Sequence, residues 1–409
     1  TLLRREASTT FTQVPFDHPL WVVYSSGTTG MPKPIVHGHG GALLESVKSA
    51  VLHFDVGPED RFMWYSTTGW IMWNSQVTAL LTGASITLYD GNPGYPNLEV
   101  LWQLAEATEV TFFGGGAAYF MGCKKAGLIP KEKFSLPHLR AIGSTGSPLP
   151  TEDYHWIHEA VGEDIFIAAI SGGTDIAAAF VGSCPTLPIV AGEMQCRGLG
   201  IAVYAFDEAG NAVEDEVGEL VVTKPMPSMP LYFWNDHNGE RYHESYFTMY
   251  PNYWRHGDWL RITPRGGAII YGRSDTTINR HGIRMGTSEI YRVVEGFSEV
   301  LDSLVVDLEY LGRPSFMPLF LVLHEGIAFS TALADSIKQA IREQLSARHV
   351  PNDVYVVPSI PRTMSGKKME LPIRRLLLGA KLEDVANVDA MANPEAMDWF
   401  VQFAATLNN

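Results

Sequence analysis

Short apolar runs alternate with amphipathic stretches through the first half of the chain. Residues 20–24, 61–65, 85–89, 110–113, 139–142 and 165–170 read as strands, the first of them as a buried one. Between them, residues 41–54, 98–107 and 151–161 space their apolar positions at helical intervals. Such alternation predicts βαβ units and a mostly parallel sheet. After Gly182 the pattern changes. Residues 200–206, 218–223 and 268–271, divided by Gly, Asp and Asn, predict a more antiparallel β region. Beyond Asp275, residues 288–297 and 331–348 read as helices, and 304–308, 319–324 and 353–357 as strands. A polar, basic segment at 361–368 then reads as an exposed loop. The expected class is therefore α/β, with a large domain over residues 1–274, a small α+β domain over 275–409 and a short hinge near Asp275.

The 409 residues suffice for two or three domains, and 46% hydrophobic content supports a real core. A formal net charge of −15 disfavours nucleic acid and anionic membrane surfaces as partners. Any anionic substrate must then meet local positive charge. Cys123, Cys184 and Cys196 have neither metal-ligand spacing nor the density of a disulfide scaffold, which points to a reducing, cytoplasmic setting. No secretory signal and no bilayer-spanning apolar run is present, so membrane insertion is not expected. The chain opens on Thr1 with a phosphate-type loop close behind, and we expect a preceding part of the large domain to be missing.

That loop, Tyr24-Ser25-Ser26-Gly27-Thr28-Thr29-Gly30-Met31-Pro32-Lys33, concentrates chemistry suited to a polyphosphate. Glycines let the backbone approach a ligand, hydroxyls and N–H groups donate to phosphate oxygens, and the lysine adds charge. It is not a Walker A motif, because Met31 and Pro32 separate Gly30 from Lys33. Four further segments stand out: Gly143-Ser144-Thr145-Gly146-Ser147-Pro148, Ser171-Gly172-Gly173-Thr174-Asp175, Trp254-Arg255-His256-Gly257-Asp258, and the stretch from Gly272-Arg273-Ser274-Asp275 to Glu289-Ile290. Ligands of open α/β sheets bind outside the carboxyl ends of strands, and the first three segments of the five follow predicted strands.

In this order, and with the loop at 361–367, the motifs resemble those of the adenylate-forming superfamily of acyl-CoA synthetases, luciferases and adenylation domains. The resemblance runs from about Leu20 to about Leu378. It implies a large domain that holds ATP and acid, made of a parallel-sheet lobe and a β-rich subdomain. It also implies a small domain that swings between two half-reactions. Ser25, Ser26, Gly27, Thr28, Thr29, Gly30 and Lys33 would form the mobile loop over the β- and γ-phosphates. Gly146, Ser147 and Pro148 would pack along adenine, and Thr174 would touch the α-phosphate. Asp175 stands where the family usually has a glutamate that holds Mg2+, with helix N-capping as its competing role. Asp258 resembles the carboxylate that accepts both ribose hydroxyls, and Arg273 and Arg284 the pair that neutralises phosphate. Asp275 resembles the hinge residue and Gly282 the glycine of the pantetheine tunnel. Lys367 resembles the catalytic lysine of adenylation, with Lys368 as its bland neighbour. Arg342 falls near an arginine that short-chain relatives place on the CoA phosphate, and is equally well a solvated helix residue.

A finer resemblance is to the synthetases that take acetoacetate. It rests on Val36-His37-Gly38-His39-Gly40-Gly41, Thr67-Thr68-Gly69-Trp70-Ile71-Met72-Trp73-Asn74, Ser171-Gly172-Gly173-Thr174-Asp175 and Ser365-Gly366-Lys367-Lys368-Met369-Glu370. It implies a short-chain keto acid, ATP and CoA as substrates, with Mg2+. Trp70, Ile71, Met72 and Gly172 would line the acyl pocket. Acetate-using relatives carry tryptophan at the position of Gly172, so glycine there leaves room for a larger acid, and Asn74 or Gln76 offers a donor to the keto oxygen. Trp73 divides evenly between pocket and core. His37 and His39 lack carboxylate partners in sequence and argue only weakly for a metal. Two other readings stay open: another short acid, and a catalytically inactive nucleotide-binding fragment.

Overall fold

The computed structural model describes residues 10–25, 33–274, 278–280, 283–308, 316–364, 366–386 and 391–407, with the backbone alone for 278–280 and 283–285. Strands β1 (Pro19–Ser25) and β2 (Lys33–Gly38) form an antiparallel pair, with Ser25 directly opposite Lys33. Strand Tyr232–Phe233 adds to the far side of β2. This corrects the expectation that residues 20–24 form a buried strand of the parallel system. A parallel crossover needs a dozen or more residues, and the connection at 26–32 is too short for one. On its open edge β1 leaves Val22 38% and Tyr24 63% exposed.

The expected parallel sheet is present. It comprises β3 (Arg61–Trp64), β4 (Ser85–Thr87), β5 (Phe112–Gly116), β6 (Ala141–Thr145) and β7 (Phe166–Ala169), in the order β4-β3-β5-β6-β7. Every neighbouring pair is parallel. Successive side chains point to opposite faces, and both faces are covered. Phe62, Trp64 and Phe112 pack with Phe54 on one side. Met63 and Phe113 pack with Trp102 and Phe120 on the other. Burial on both faces is why these strands read as plain apolar runs rather than as alternation.

The hairpin of β8 (Ser171–Gly173) and β9 (Ala178–Gly182) follows β7 directly. A five-stranded antiparallel sheet follows, in the order Ala212–Val213, Val203–Phe206, Gly218–Val222, Trp254–Ile262, Ala268–Arg273. In the small unit, Val300–Val305 pairs antiparallel with Pro318–Leu323, which pairs parallel with Asp353–Val356. Helices Thr287–Val294 and Thr331–Gln344 bury one face of this sheet, and Glu370–Leu377 and Ala396–Leu407 the other. The last two helices lie beyond the segment at 361–368 and were not among the elements expected from the sequence pattern. Among the described residues the apolar clusters of the large unit end at Ile270 and those of the small unit begin at Ile290. No described helix is long and apolar enough to cross a membrane.

Candidate active site

The carboxyl ends of β6 and β7 open onto the same edge of the parallel sheet. Gly146 leaves β6 with φ +91, in the left-handed region that a turn here requires. Trp70, the N-cap of helix Ile71–Thr78, lies against it: a Cβ on Gly146 would meet the indole at 3.6 Å. The segment expected along adenine and the tryptophan expected in the acyl pocket are thus neighbours. Ser147 and Pro148 are exposed beside them.

Of the other pocket candidates, Trp70 and Ile71 are half-buried, whereas Met72 is buried with the Phe62–Trp64 cluster. Gln76 is only 2% exposed, and its amide oxygen accepts from Trp64 N at 2.5 Å. That bond engages only its carbonyl, so the Gln76 amide N–H2 stays a donor, as does the half-buried Asn74. A Cβ on Gly172 would lie 2.0 Å from Ala178 O. The register shift between Ser171 and Gly172 brings the two strands that close, so glycine is demanded by the hairpin itself. A tryptophan there requires the backbone to move, which the pocket-size argument did not foresee.

Asp175 sits in the turn between β8 and β9, among residues distant in sequence. Lys33 Nζ donates to its Oδ1 at 2.5 Å, and the Tyr246 hydroxyl donates to the same oxygen. Lys33 also reaches the Tyr246 oxygen at 3.1 Å, and the Tyr246 ring stacks on Trp254 at 3.6 Å. Burial would raise the Asp175 pKa, but the charges of Lys33 and His256 and the bonds from Lys33 and Tyr246 outweigh it and hold the carboxyl well below the usual range. Burial, then the Asp175 charge, pushes the Tyr246 hydroxyl far up, so it stays a donor.

His37 holds the same turn from β2. Its Nδ1 accepts from Trp21 Nε1 at 2.9 Å, so its Nε2 carries the proton and donates to Asp175 O at 2.9 Å. Burial lowers its pKa, opposed by the Asp175 contacts, and keeps the ring neutral. His39 instead lies against His18, with ring centroids 5.7 Å apart. The two histidines do not converge, and among the described residues no group of three or more His, Cys, Asp or Glu side chains could hold a metal.

Asp258 and Arg273 are direct partners across the antiparallel strands Trp254–Ile262 and Ala268–Arg273. Arg273 Nη1 stands 3.5 Å from Asp258 Oδ1. Gly257, at φ +91, makes room for this guanidinium: a Cβ there would meet Nη2 at 2.9 Å. His256 is buried between the two carboxylates, its Nε2 3.5 Å from Asp258 Oδ2 and its ring under Gly173. Burial lowers its pKa, with Asp258 and Asp175 opposing. Sequence reasoning quoted His256 within a motif but gave it no role, and it missed Tyr246 altogether. Neither carries a local signal, since their meaning lies in contacts with Asp175.

Lys367 comes from the small unit. It is open to solvent in the cleft, yet the charges of Asp258, Arg273 and Asp175 all act on it. So much protein surrounds the ammonium that its pKa is lowered, with Asp258 and Asp175 opposing and Arg273 reinforcing. Arg342 does not join the cleft. It is exposed on helix Thr331–Gln344, where Nη1 donates to Gln339 Oε1 at 3.2 Å. Ser26, Gly27, Thr28, Thr29, Gly30, Asp275, Gly282 and the Arg284 side chain lie outside the described residues.

A nucleotide-type site of separated carboxylates, arginine and two lysines at the edge of a parallel sheet is what the geometry defines. Residues 4–233 match the AMP-binding enzyme family and residues 298–367 match its C-terminal domain, and the chain belongs to that family. It is 44% identical over 391 residues to the acetoacetyl-CoA synthetase of Gallus gallus, covering 95% of this chain and 58% of that protein. The acetoacetyl-coenzyme A synthetase of Rhizobium meliloti is 43% identical over 390 residues, covering 95% and 59%. The structure of acetoacetyl-CoA synthetase from Streptomyces lividans superposes with a TM-score of 0.91 at 49% identity, covering 98% of this chain and 62% of that one. The chain thus spans about three-fifths of the length of the relatives it matches.

Proposed function

We propose that this chain carries the nucleotide and catalytic-lysine machinery of an enzyme that joins acetoacetate to CoA, forming acetoacetyl-CoA, AMP and pyrophosphate from acetoacetate, ATP and CoA. The observation that carries this reading is the convergence of Lys33, Asp175, Asp258, Arg273 and Lys367, from five separate segments and both units, on one cleft. The likeness to acetoacetyl-CoA synthetases over nearly the whole chain supports the choice of acid.

In the first half-reaction a carboxylate oxygen of the acid attacks the α-phosphorus of ATP. The bond to the bridging oxygen breaks and pyrophosphate leaves. Asp258, which only accepts when ionised, would take the ribose hydroxyls, while Arg273 beside it faces phosphate. Thr174 would donate to the α-phosphate. Lys367 would lie where negative charge accumulates between acid and phosphate. Lys33 is held on Asp175, so polyphosphate binding would exchange a carboxylate partner for phosphate oxygens. The Asp175 carboxylate fits Mg2+: Oδ1 takes Lys33 and Tyr246 while Oδ2 keeps lone pairs, and Mg2+ commonly takes one or two carboxylates plus phosphates. When bound there, Mg2+ would neutralise phosphate charge. In the second half-reaction the CoA thiol releases its proton to solvent and its sulfur attacks the acyl carbonyl; the carbon–oxygen bond to the phosphate breaks and AMP leaves with the electron pair. The division into residues 1–274 and 275–409, with Asp275 as hinge, would let Lys367 withdraw between the two. The setting would be cytoplasmic.

The test is AMP release with ATP, Mg2+ and CoA across acetate, propionate, butyrate and acetoacetate. Acetoacetate is expected to give the highest kcat/KM. A higher value with another acid overturns the substrate. No AMP with any acid overturns the activity in favour of an inactive nucleotide-binding fragment.

A further inference from the structure

In the segment expected as an exposed loop, the described residues 361–364 and 366–368 form a tight turn. An antiparallel bridge pairs Arg362 with Lys368, Thr363 N donates to Lys367 O at 2.9 Å, and Gly366 N returns to Thr363 O at 2.8 Å. Lys367 N donates to Thr363 Oγ1 at 3.1 Å, and Gly366 takes φ +82. Two cations clamp the base of this turn to the small unit. Arg362 grips both oxygens of Asp302, with Nη2 at 2.8 Å from Oδ1 and Nε at 3.1 Å from Oδ2, while its Nη1 donates to Gly366 O at 2.5 Å. Lys368 Nζ donates to Glu295 Oε1 and Ser303 O at 2.5 Å each and lies 3.2 Å from Asp302 Oδ1. The same ammonium stands 3.7 Å from the centroid of the Tyr291 ring. Tyr291 in turn donates to Glu370 Oε1 at 2.5 Å.

The Lys368 side chain is only 14% exposed, held inward by three oxygens and a ring face, whereas Lys367 is exposed and stands within range of the Asp258, Arg273 and Asp175 charges, so the two neighbours face different sides. We propose that Lys368 and Arg362, seated together on Asp302, are the positioning residues that aim Lys367 at the acid and α-phosphate. This rests on the reading of Lys367 as the adenylation lysine. Lys368 is thus not a bland neighbour. It and Arg362 act only through Lys367, so they serve the half-reaction that uses Lys367 and not the one from which it withdraws.

The experiment compares Lys368→Met, Lys368→Arg and Arg362→Lys in two assays. One is acid-dependent exchange of pyrophosphate into ATP, which reads adenylation. The other is thioester formation from CoA and preformed acyl-adenylate. Misplacing a reacting group by an ångström costs on the order of 10²-fold, so Lys368→Met is expected to lower exchange by about that factor with thioester formation within about twofold of the parent. Lys368→Arg should recover most of the exchange. Arg362→Lys, which keeps a cation on Asp302 but loses the Gly366 bond, should show the same selective fall. Equal loss of both half-reactions, or no loss of exchange, overturns the proposal. A readout without substrates runs alongside: Lys368→Met should speed amide hydrogen exchange at Gly366 and Lys367 while leaving helix Thr331–Gln344 unchanged, and unchanged protection of Gly366 and Lys367 would sink it. A Lys367→Ala control separates the two readings. If Lys367→Ala leaves pyrophosphate exchange intact, the role of Lys367 fails. If Lys367→Ala abolishes exchange while Lys368→Met does not affect it, only the positioning proposal fails.

Discussion

Lys33 and Asp175 are 142 positions apart and meet at 2.5 Å with both side chains largely buried. Removing one partner of such a pair strands the other charge, which costs about 3–5 kcal/mol. Lys33→Met is therefore expected to destabilise by roughly that amount, less whatever Tyr246 and water offset. Asp175→Asn in the Lys33→Met background should then cost far less than Asp175→Asn alone, and a double-mutant cycle by urea denaturation checks this. The pH sign follows from the lowered Asp175 pKa. A carboxyl whose folded pKa lies below its unfolded value of about 4 contributes fully above that value and loses the contribution as pH falls through the folded one. Asp175→Asn should flatten the acid limb of stability against pH below about 4, while leaving the neutral region parallel to the parent. The residue types at this site were legible in sequence, as a lysine after a glycine-rich loop and an aspartate after a strand. Their pairing was not, because it depends on β2 running beside the β8–β9 turn.

At the scale of elements, helix His39–Lys48 shows how one backbone approach sets a residue choice. A Cβ on Gly41 would lie 1.9 Å from Pro227 O, whereas one on Gly40 would meet only the Phe16 ring, which can move. Gly41→Ala should destabilise by about 2–3 kcal/mol or more, and Gly40→Ala by much less, measured by thermal unfolding. The glycine pair had been read only as a mark of resemblance. Strand and helix periods in residues 61–170 were legible because parallel strands buried on both faces are continuous apolar runs. β1 was misread for the complementary reason: an apolar run looks the same whether it lies at the centre of a parallel sheet or at the edge of a hairpin. Gly172 carries a similar lesson, since a small residue can mean pocket space, strand contact or both, and the contact at Ala178 by itself requires glycine.

At the scale of the whole molecule, Lys367 reaches the cleft only because the small unit is set against the large one, where Ser288 Oγ donates to Tyr271 O at 2.6 Å and Lys125 Nζ to Leu301 O at 3.4 Å. The lowered Lys367 pKa means that its charge is lost at a lower pH than for an ordinary lysine, near 10.4. Adenylation should therefore fall on the alkaline side below that value, while thioester formation shows no such limb; stopped-flow or exchange assays across pH 7–10 in roughly half-unit steps check it. The helices His39–Lys48 and Ile71–Thr78 and their continuations pack side by side and expose Leu44, Leu52, Leu80 and Leu81, each about half exposed. An apolar face of this kind favours association, so Leu44→Glu with Leu81→Lys should raise the monomer fraction in light scattering.

Sequence alone determined the kinds of chemistry available and their order along the chain: hydroxyls, glycines and lysine first, carboxylates at strand ends next, and a lysine pair last. It also determined the α/β alternation, because periodicity is written within a few residues. Only the tertiary structure decided which charges face one another. Asp258 opposes Arg273 through strand register, and Asp175 meets Lys33, Tyr246 and His256 through sheet order. Of two adjacent lysines, Lys368 is largely covered on Asp302 and Lys367 is exposed, under the charges of Asp258, Arg273 and Asp175. The physical reason is range. Side-chain type and backbone period are local properties, whereas the energy of a charge depends on what the whole fold brings within a few ångströms of it.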